Sequence, residues 1–326
     1  MRLLKILMGL IAFVILLVLA GGTYVKFALP DVGEAPELVV KPTAERLERG
    51  KYLANHVTVC MDCHSTRDWS LYAGPMAQSG IGAGGEVFDQ KMGFPGSFHA
   101  PNITPGALKN WTDGELFRAI TTGVNKDGKA LFPLMAAHRF GQMDKEDIYA
   151  IIAYVRSLPA DDKVIPASEP DFPVNFLINT MPKKASFTTL PKENDTLKYG
   201  GYLVNAAGCV DCHSKMEKGS IVAGTEFGGG MEFNFPQGIV RSVNITNDVE
   251  TGIGSWTKDA FVKRFQLYVA PGYQSPKVGE GMNTPMPWTM YGGMKKSDLE
   301  AIYAYLRTVK PLKNQVVRFE PKKLAN

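Results

Sequence analysis

The sequence predicts an all-α protein with two tandem helical domains, preceded by an N-terminal transmembrane helix. Three observations support this prediction: an uncharged apolar run near the N-terminus, an internal duplication with an offset near 150 residues, and an apolar stripe at helical spacing that closes each duplicated unit. The 326 residues are 45% hydrophobic with a net charge of +4, which indicates a globular chain and gives no reason to expect a nucleic-acid partner.

Residues 1–30 are predicted to form a signal anchor. The twenty residues after Lys5 carry no charge, and a helix of that length rises about 30 Å, enough to cross a bilayer core. Arg2 and Lys5 precede the run, so the start should stay cytoplasmic while the rest is exported. A cleaved signal peptide ending near Val18-Leu19-Ala20 is the alternative, but the apolar character continues to Leu29, which favours an anchor.

The body of the chain is a duplication. The predicted domains span 44–158 and 195–313, joined by a proline-rich connection at 159–194 and followed by a tail at 314–326. The matching segments are Gly50–Asn55 with Gly200–Asn205, Cys60–Ser65 with Cys209–Ser214, Asn102–Thr104 with Asn244–Thr246, Trp111–Thr112 with Trp256–Thr257, and Asp147–Leu158 with Asp298–Val309. Two copies indicate tandem domains and not a solenoid.

Each unit should open and close with a helix. Thr43 and Asp195 are expected to cap the opening helices, and Asp144 the first closing helix. Ser297 and Glu300 form a capping-box pattern for the second closing helix. The closing stripes are Ile148, Ile151, Ile152 and Val155 in the first unit and Leu299, Ile302 and Leu306 in the second, followed by Pro159 and Pro311.

Long stretches rich in Gly and Pro separate the opening and closing helices. Residues 80–106 and 224–254 show no alternation that predicts strands, and so many irregular residues do not form a compact core alone. We therefore expect a large apolar group inside each unit. The connection at 159–194 carries six prolines together with several apolar side chains, so it should be ordered and extended.

All four cysteines lie in Cys-x-x-Cys-His motifs, the pattern of covalent c-type haem attachment. The motifs are Cys60, Cys63 and His64 in the first unit and Cys209, Cys212 and His213 in the second. The two thiols of each motif would bind one porphyrin and the histidine would be the proximal iron ligand, giving two covalently bound haem c groups. In bacteria this attachment occurs outside the cytoplasmic membrane, in agreement with an exported chain in the inner membrane whose haem domains face the periplasm.

Other uses of paired cysteines fit the spacing less well. A zinc ribbon places its pairs some 15–20 residues apart, whereas Cys63 and Cys209 are 146 positions apart. A redox dithiol requires a βαβ context, which the sequence lacks. Disulfides closed over two residues would be strained.

Methionine is the expected sixth iron ligand in both units, because a thioether sulfur favours Fe(II). Met286 lies between Pro285 and Pro287, and Met135 holds the corresponding place in the first unit. The interval from the motif histidine is 71 residues to Met135 and 73 to Met286. His138 is an alternative ligand for the first haem, and Met282, Met290 and Met294 compete with Met286.

Together these motifs and the closing Ala-x-x-Tyr-(Val/Leu)-Arg helices resemble the cytochrome c subunits of bacterial periplasmic alcohol and gluconate dehydrogenases and related di-haem cytochromes. The resemblance covers residues 44–313 and implies that each unit is a class I cytochrome c, a small helical bundle around one haem. It also implies that Asn102 and Asn244 order a loop at the haem edge. The dehydrogenase subunits carry three haems, whereas this chain has two motifs.

The resemblance implies electron transfer between a periplasmic or membrane dehydrogenase and the respiratory chain, with no catalysis by this chain. The expected partners are redox proteins: a dehydrogenase, an oxidase or another cytochrome. The alternatives are a peroxidase-like di-haem enzyme and a haem-bearing subunit of a dehydrogenase complex. A peroxidase needs an open iron position and further histidines, but His56, His99 and His138 have no matching partners between the units. His56 and His99 are expected to be structural or surface residues, and Tyr52 and Tyr202 to pack the opening helix on the closing helix.

Overall fold

The computed structural model describes residues 1–77, 79–217 and 219–322, so the last part of the predicted tail at 314–326 lies outside the described residues. The described chain divides into two compact units. The smaller unit comprises Met1–Val39, Trp111–Gln142 and Glu169–Ser186. The larger unit comprises Val40–Asn110, Met143–Ser168 and the described chain from Phe187 onward.

Helices dominate both units. They are α1 (Arg2–Phe27), α2 (Ala44–Tyr52), α3 (Cys60–Cys63), α4 (Pro105–Leu108), α5 (Asp113–Thr122), α6 (Ala137–Phe140), α7 (Lys145–Arg156), α8 (Val174–Leu177), α9 (Thr196–Ala206), α10 (Cys209–Cys212), α11 (Lys258–Gln266), α12 (Trp288–Tyr291) and α13 (Lys296–Leu306). A π-helical turn spans Leu53–Val57, and 3₁₀ turns span Gln90–Met92, Ile178–Thr180 and Leu267–Val269.

The prediction of an all-α fold holds only in part, because short strands are also present. They are β1 (Val87–Phe88), β2 (Gly96–His99), β3 (Glu169–Pro170), β4 (Met216–Glu217), β5 (Ser220–Ile221), β6 (Glu232–Phe235), β7 (Gly238–Arg241) and β8 (Phe319–Pro321). In the second repeat, β6 and β7 form a hairpin in which Phe235 pairs with Gly238, and β8 pairs antiparallel with β7. The Gly- and Pro-rich stretches therefore satisfy part of their backbone by hairpin pairing, which side-chain alternation did not reveal.

In the larger unit, the opening and closing helices of each repeat cross at a glycine. The backbone of Ala150 on α7 leaves no room for a β-carbon at Gly50 on α2, and Ala301 on α13 does the same for Gly200 on α9. The predicted closing stripes are buried at these crossings. Each stripe therefore removes apolar side chains from water against its own opening helix.

The helix caps agree with the sequence at three of the four predicted positions. The side chains of Thr43, Asp195 and Asp144 accept hydrogen bonds from backbone N–H groups in the first turns of α2, α9 and α7. The predicted capping box of Ser297 and Glu300 is wrong, because α13 begins at Lys296 after Lys295, with no side-chain cap bond among the described residues.

The smaller unit contains α1 and the segments that pack beside its C-terminal end. Helix α1 is long and apolar enough to cross a membrane, and its membrane-length window is fully exposed. A cleaved signal sequence would share this length and composition. The side-chain amide of Asn179 donates to the carbonyl of Val25 at 3.4 Å. Because α8 and the 3₁₀ turn that contains Asn179 lie in the predicted connection, the connection is partly helical and not simply extended.

Candidate haem-binding sites

Both Cys-x-x-Cys-His motifs have the same local backbone structure. The two cysteines of each motif begin and end one helical turn, α3 or α10. The residue before each turn is left-handed: Val59 with φ 45° and Gly208 with φ 63°. Glycine adopts this conformation without strain, whereas a β-branched valine does not. The strained Val59 marks the first motif as a tightly specified turn.

The motif histidines are oriented by equivalent backbone carbonyls. His64 Nδ1 lies 2.8 Å from the carbonyl oxygen of Pro101, and His213 Nδ1 lies 2.7 Å from that of Val243. A carbonyl can only accept, so each Nδ1 carries the proton and each Nε2 presents its lone pair. Burial lowers the pKa of both imidazoles, which keeps them neutral. A neutral imidazole with a fixed Nδ1 tautomer is the form that binds iron through Nε2.

The accepting carbonyls belong to loops that are fastened by the Asn-Ile-Thr segments. Asn102 donates to the carbonyl oxygen of Asp161 at 2.8 Å and accepts from the backbone and hydroxyl of Thr104. In the second repeat, Asn244 donates to the carbonyl of Leu312 at 2.6 Å and accepts from Thr246 in the same way. This agrees with the loop-ordering role implied for both asparagines.

Glycines let the loops approach the motif histidines closely. The N–H of Gly84 donates to the carbonyl of His64 at 2.9 Å, and the N–H of Gly229 donates to that of His213 at 2.8 Å. Their φ angles are 68° and 75°. A β-carbon on Gly229 would lie 2.5 Å from the carbonyl carbon of Val243. This pair of glycines does not stand out in the sequence because many other glycines surround it, although both lie at equivalent places in the repeat.

Burial favours the neutral form of the cysteine thiols. It raises the pKa of Cys63 to about 12 and that of Cys212 to about 11. Within the described residues, no group of three or more His, Cys, Asp or Glu side chains is placed to hold a metal ion. Neutral thiol pairs beside an Nε2-presenting imidazole fit covalent attachment of an iron porphyrin.

The loop that carries Met286 is anchored on both sides. The hydroxyl of Thr284 accepts from the N–H of Met286 at 3.2 Å, and the N–H of Trp288 donates to the carbonyl of Met286 at 2.8 Å. Before them, the side chain of Asn283 is 1% exposed and accepts from the N–H of Ala73 at 2.9 Å. The loop therefore holds Met286, partly buried, immediately before α12.

Sequence comparison agrees with this geometry. A cytochrome c family profile matches residues 197–310. These residues contain the second Cys-x-x-Cys-His motif, Asn244 and Met286.

The second repeat is similar to cytochrome c domains.

Similar proteins that match different shares of this chain carry related names. The chain is 27% identical to the cytochrome c subunit of a quinone alcohol dehydrogenase from Gluconacetobacter polyoxogenes. This match extends over 286 residues and covers 82% of this chain and 56% of the relative. The chain is also 37% identical to the cytochrome c subunit of gluconate 2-dehydrogenase from Pantoea cypripedii. This match extends over 123 residues and covers 37% of this chain and 25% of the relative.

A third relative is shorter. The chain is 25% identical over 207 residues to a "diheme cytochrome c-type" protein from Cereibacter sphaeroides, covering 61% of this chain and 67% of that protein. The chain spans little more than half the length of the Gluconacetobacter subunit. The resemblance expected from the motifs, to cytochrome c subunits of alcohol and gluconate dehydrogenases, is confirmed.

The matching methionine of the first repeat, Met135, has the same local geometry as Met286 in the second repeat. The N–H of Ala137 donates to the carbonyl of Met135 at 2.7 Å, and the four-residue helix α6 follows, just as α12 follows Met286. Met135 is partly buried and His138 is exposed on α6. Both belong to the smaller unit, whereas His64 belongs to the larger one, so ligation of the first iron by Met135 or His138 stays a prediction.

The methionines that compete with Met286 differ in their burial. Met290 and Met294 are 5% and 4% exposed, whereas Met282 is partly buried like Met286. Met290 lies in α12 and Met294 just beyond it, where buried methionines serve as apolar packing.

Proposed function

We propose that this chain is a membrane-anchored, di-haem c-type cytochrome that passes electrons between a periplasmic or membrane dehydrogenase and the respiratory chain. Its two haem c groups would be attached through Cys60 and Cys63 and through Cys209 and Cys212. The proximal ligands would be His64 and His213, and the sixth ligands Met135 and Met286.

One observation carries the proposal: two imidazoles in equivalent motifs are held by carbonyls with the same geometry, at 2.8 and 2.7 Å. The iron of each bound haem would accept one electron and release it again. The chain's own residues would hold each Nε2 toward the iron through the carbonyls of Pro101 and Val243. An iron with strong ligands on both sides changes charge with little movement, which suits a carrier better than a catalyst.

The names of the relatives support a dehydrogenase as the electron donor, because several of them are subunits of alcohol, fructose or gluconate dehydrogenases. The exposed, apolar α1 supports attachment to the inner membrane, with Arg2 and Lys5 on the cytoplasmic side. The domains that follow would face the periplasm, where their partners are redox proteins.

The test is a haem count on the purified full-length protein. We expect two covalent haems by mass and by absorption, two reversible one-electron steps in a redox titration, and no turnover of peroxide. Replacing Cys209 and Cys212 by Ala should remove one haem, and the matched Cys60→Ala, Cys63→Ala pair should remove the other. A chain that keeps both haems after either replacement, or that consumes peroxide, would contradict the proposal.

A further inference from the structure

The two repeats differ in length by one residue just before the haem motifs. Four residues separate Asn55 from Cys60, whereas three separate Asn205 from Cys209. The second repeat forms a regular α-helix up to Ala206. In the first repeat the α-helix ends at Tyr52 and a π-helical turn follows over Leu53–Val57. A π-turn is the usual way in which a helix accommodates one extra residue, and such turns are frequent at functional sites.

His56 lies within this π-turn and contacts the second repeat. Its Nδ1 is 2.8 Å from the carbonyl oxygen of Met290 on α12, and since a carbonyl only accepts, Nδ1 carries the proton. The ring lies so close to Gly293 that a β-carbon there would have no room. The ring of Tyr52 lies on the other side, with its centroid 5.9 Å away. The imidazole is therefore seated in a fixed position against α12.

Helix α12 is the segment that follows the proposed axial ligand Met286. The N–H of Trp288, its first residue, donates to the carbonyl of Met286 at 2.8 Å. At its other end, the hydroxyl of Tyr291 donates to the carbonyl of Ala207 at 2.7 Å, two residues before Cys209. The helix is thus tied to the second haem motif by Tyr291 and to the segment before the first haem motif by His56.

We propose that His56 is a positioning residue for Met286: by holding α12 through the carbonyl of Met290, it fixes the sulfur of Met286 on the second haem. The attachment segment of the first haem thereby controls the axial ligand of the second. This inference rests on the proposed ligation of the second iron by Met286. The extra residue of the first repeat produces the π-turn that contains His56. The second repeat has a regular helix in the corresponding place.

The test compares His56→Leu, which removes the donor at similar volume, with His56→Asn, whose side-chain nitrogen has the same place on the side chain as the Nδ1 donor. Imidazole is titrated against the ferric protein, because the added imidazole can bind the iron only after the methionine sulfur has dissociated. We expect His56→Leu to bind imidazole about five-fold more tightly at the second haem, as for the loss of one hydrogen bond, and His56→Asn to stay near the parent. The matched control is His99→Ala, whose ring hydrogen-bonds to Ser97 within its own strand.

The assignment to the second haem comes from a Met286→His background. Histidine ligation there should remove the effect of His56→Leu, because no methionine remains to be positioned. An effect that persists in this background, or one confined to the first haem, would overturn the inference. If His56→Leu takes up fewer than two haems, His56→Met, which also lacks a donor, replaces it with the same expected rise.

The two proposals fail in different ways. Fewer than two haems on the unmodified chain would refute the proposed function. Two haems with unchanged imidazole binding in the variant that lacks the donor would refute only the role of His56.

Discussion

The hydroxyl of Tyr52 in the first repeat donates a 2.6 Å hydrogen bond to the carboxylate of Asp298 in the second repeat. The equivalent tyrosine, Tyr202, donates a 2.6 Å bond to Asp147 of the first repeat. Each hydroxyl also accepts from the backbone N–H at the start of that closing helix, at Lys295 and Asp144. Asp298 and Asp147 are 1% and 3% exposed, so each repeat satisfies a buried carboxylate of the other.

Replacing Tyr52 with Phe should destabilise the larger unit by about 2 kcal/mol, because a buried carboxylate loses a short hydrogen bond. Tyr202→Phe should have a similar effect, moderated by the two bonds of 2.8 Å that Arg49 donates to Asp147. Denaturant unfolding of the haem-loaded protein measures both losses. The partly buried Tyr273, whose ring packs edge-on against Tyr268, is the control position for Tyr→Phe. Equal losses at all three tyrosines would contradict the prediction.

Stability should fall in alkaline solution. Burial, and then the interaction with Asp298, raises the pKa of Tyr199 from its usual value of 10 to about 12, and burial with the same carboxylate raises that of Tyr52 as well. Above pH 10 the unfolded chain therefore loses protons that the folded chain keeps, and the free energy of unfolding decreases as pH rises. Unfolding measured at a series of pH values checks this. Tyr52→Phe should flatten the decline, and a parent profile that is level between pH 10 and about 12 would exclude it.

Gly229→Ala should cost about 3 kcal/mol or more and lower the haem content. The residue combines a left-handed φ of 75° with a backbone contact that a β-carbon would violate. Gly128 has the same φ of 75° with nothing within 4 Å of a β-carbon, so Gly128→Ala should cost only about 1 kcal/mol. Unfolding and haem absorption of the two variants separate crowding from backbone strain. Similar losses in both would refute the role assigned to the close approach.

Asn244→Ala should cost about 2–3 kcal/mol, because the N–H and hydroxyl of Thr246 and the carbonyl of Leu312 lose their partner in a buried loop. Asn102→Ala is the matched change in the first repeat. The loop also holds the carbonyl that orients His213, so the absorption of the second haem should respond to Asn244→Ala and that of the first haem to Asn102→Ala. A loss of stability with both spectra unchanged would separate the loop from the histidine.

Met135→Ala should lower the first reduction potential and remove one sulfur-to-iron charge-transfer band, because a thioether ligand favours Fe(II). His138→Ala should leave that band in place. Redox titration with absorption spectroscopy of the two variants distinguishes the ligands. If His138→Ala changes the first haem while Met135→Ala does not, histidine is the sixth ligand.

Local features of the fold could be predicted from the sequence because their causes are local. The caps at Thr43, Asp144 and Asp195 and the buried stripe of α7 follow from side-chain chemistry and helical spacing. The correspondence between Met135 and Met286 likewise follows from similar intervals of 71 and 73 residues after the motif histidines, and each methionine has the same turn after it.

The predictions of the capping box and of the tyrosine contacts miss the partners that these side chains use. The hydroxyl of Ser297 donates to Asp298 at 3.2 Å instead of capping α13, and Glu300 lies 3.8 Å from Lys258 and Lys296. Tyr52 and Tyr202 join an opening helix to a closing helix, as predicted, but that closing helix belongs to the opposite repeat. The sequence alone does not indicate which of the two closing helices each tyrosine contacts.

The reciprocal tyrosine–aspartate pairs also bear on how such a chain could arise. Each repeat donates a tyrosine hydroxyl to an aspartate of the other repeat. Such reciprocal contacts are typical of an isologous, two-fold symmetric association of identical subunits. A polypeptide with a single repeat would have to meet a copy of itself to cover both carboxylates. Gene fusion of such a homodimer would preserve this interface while freeing each half to diverge, as the extra residue beside His56 shows.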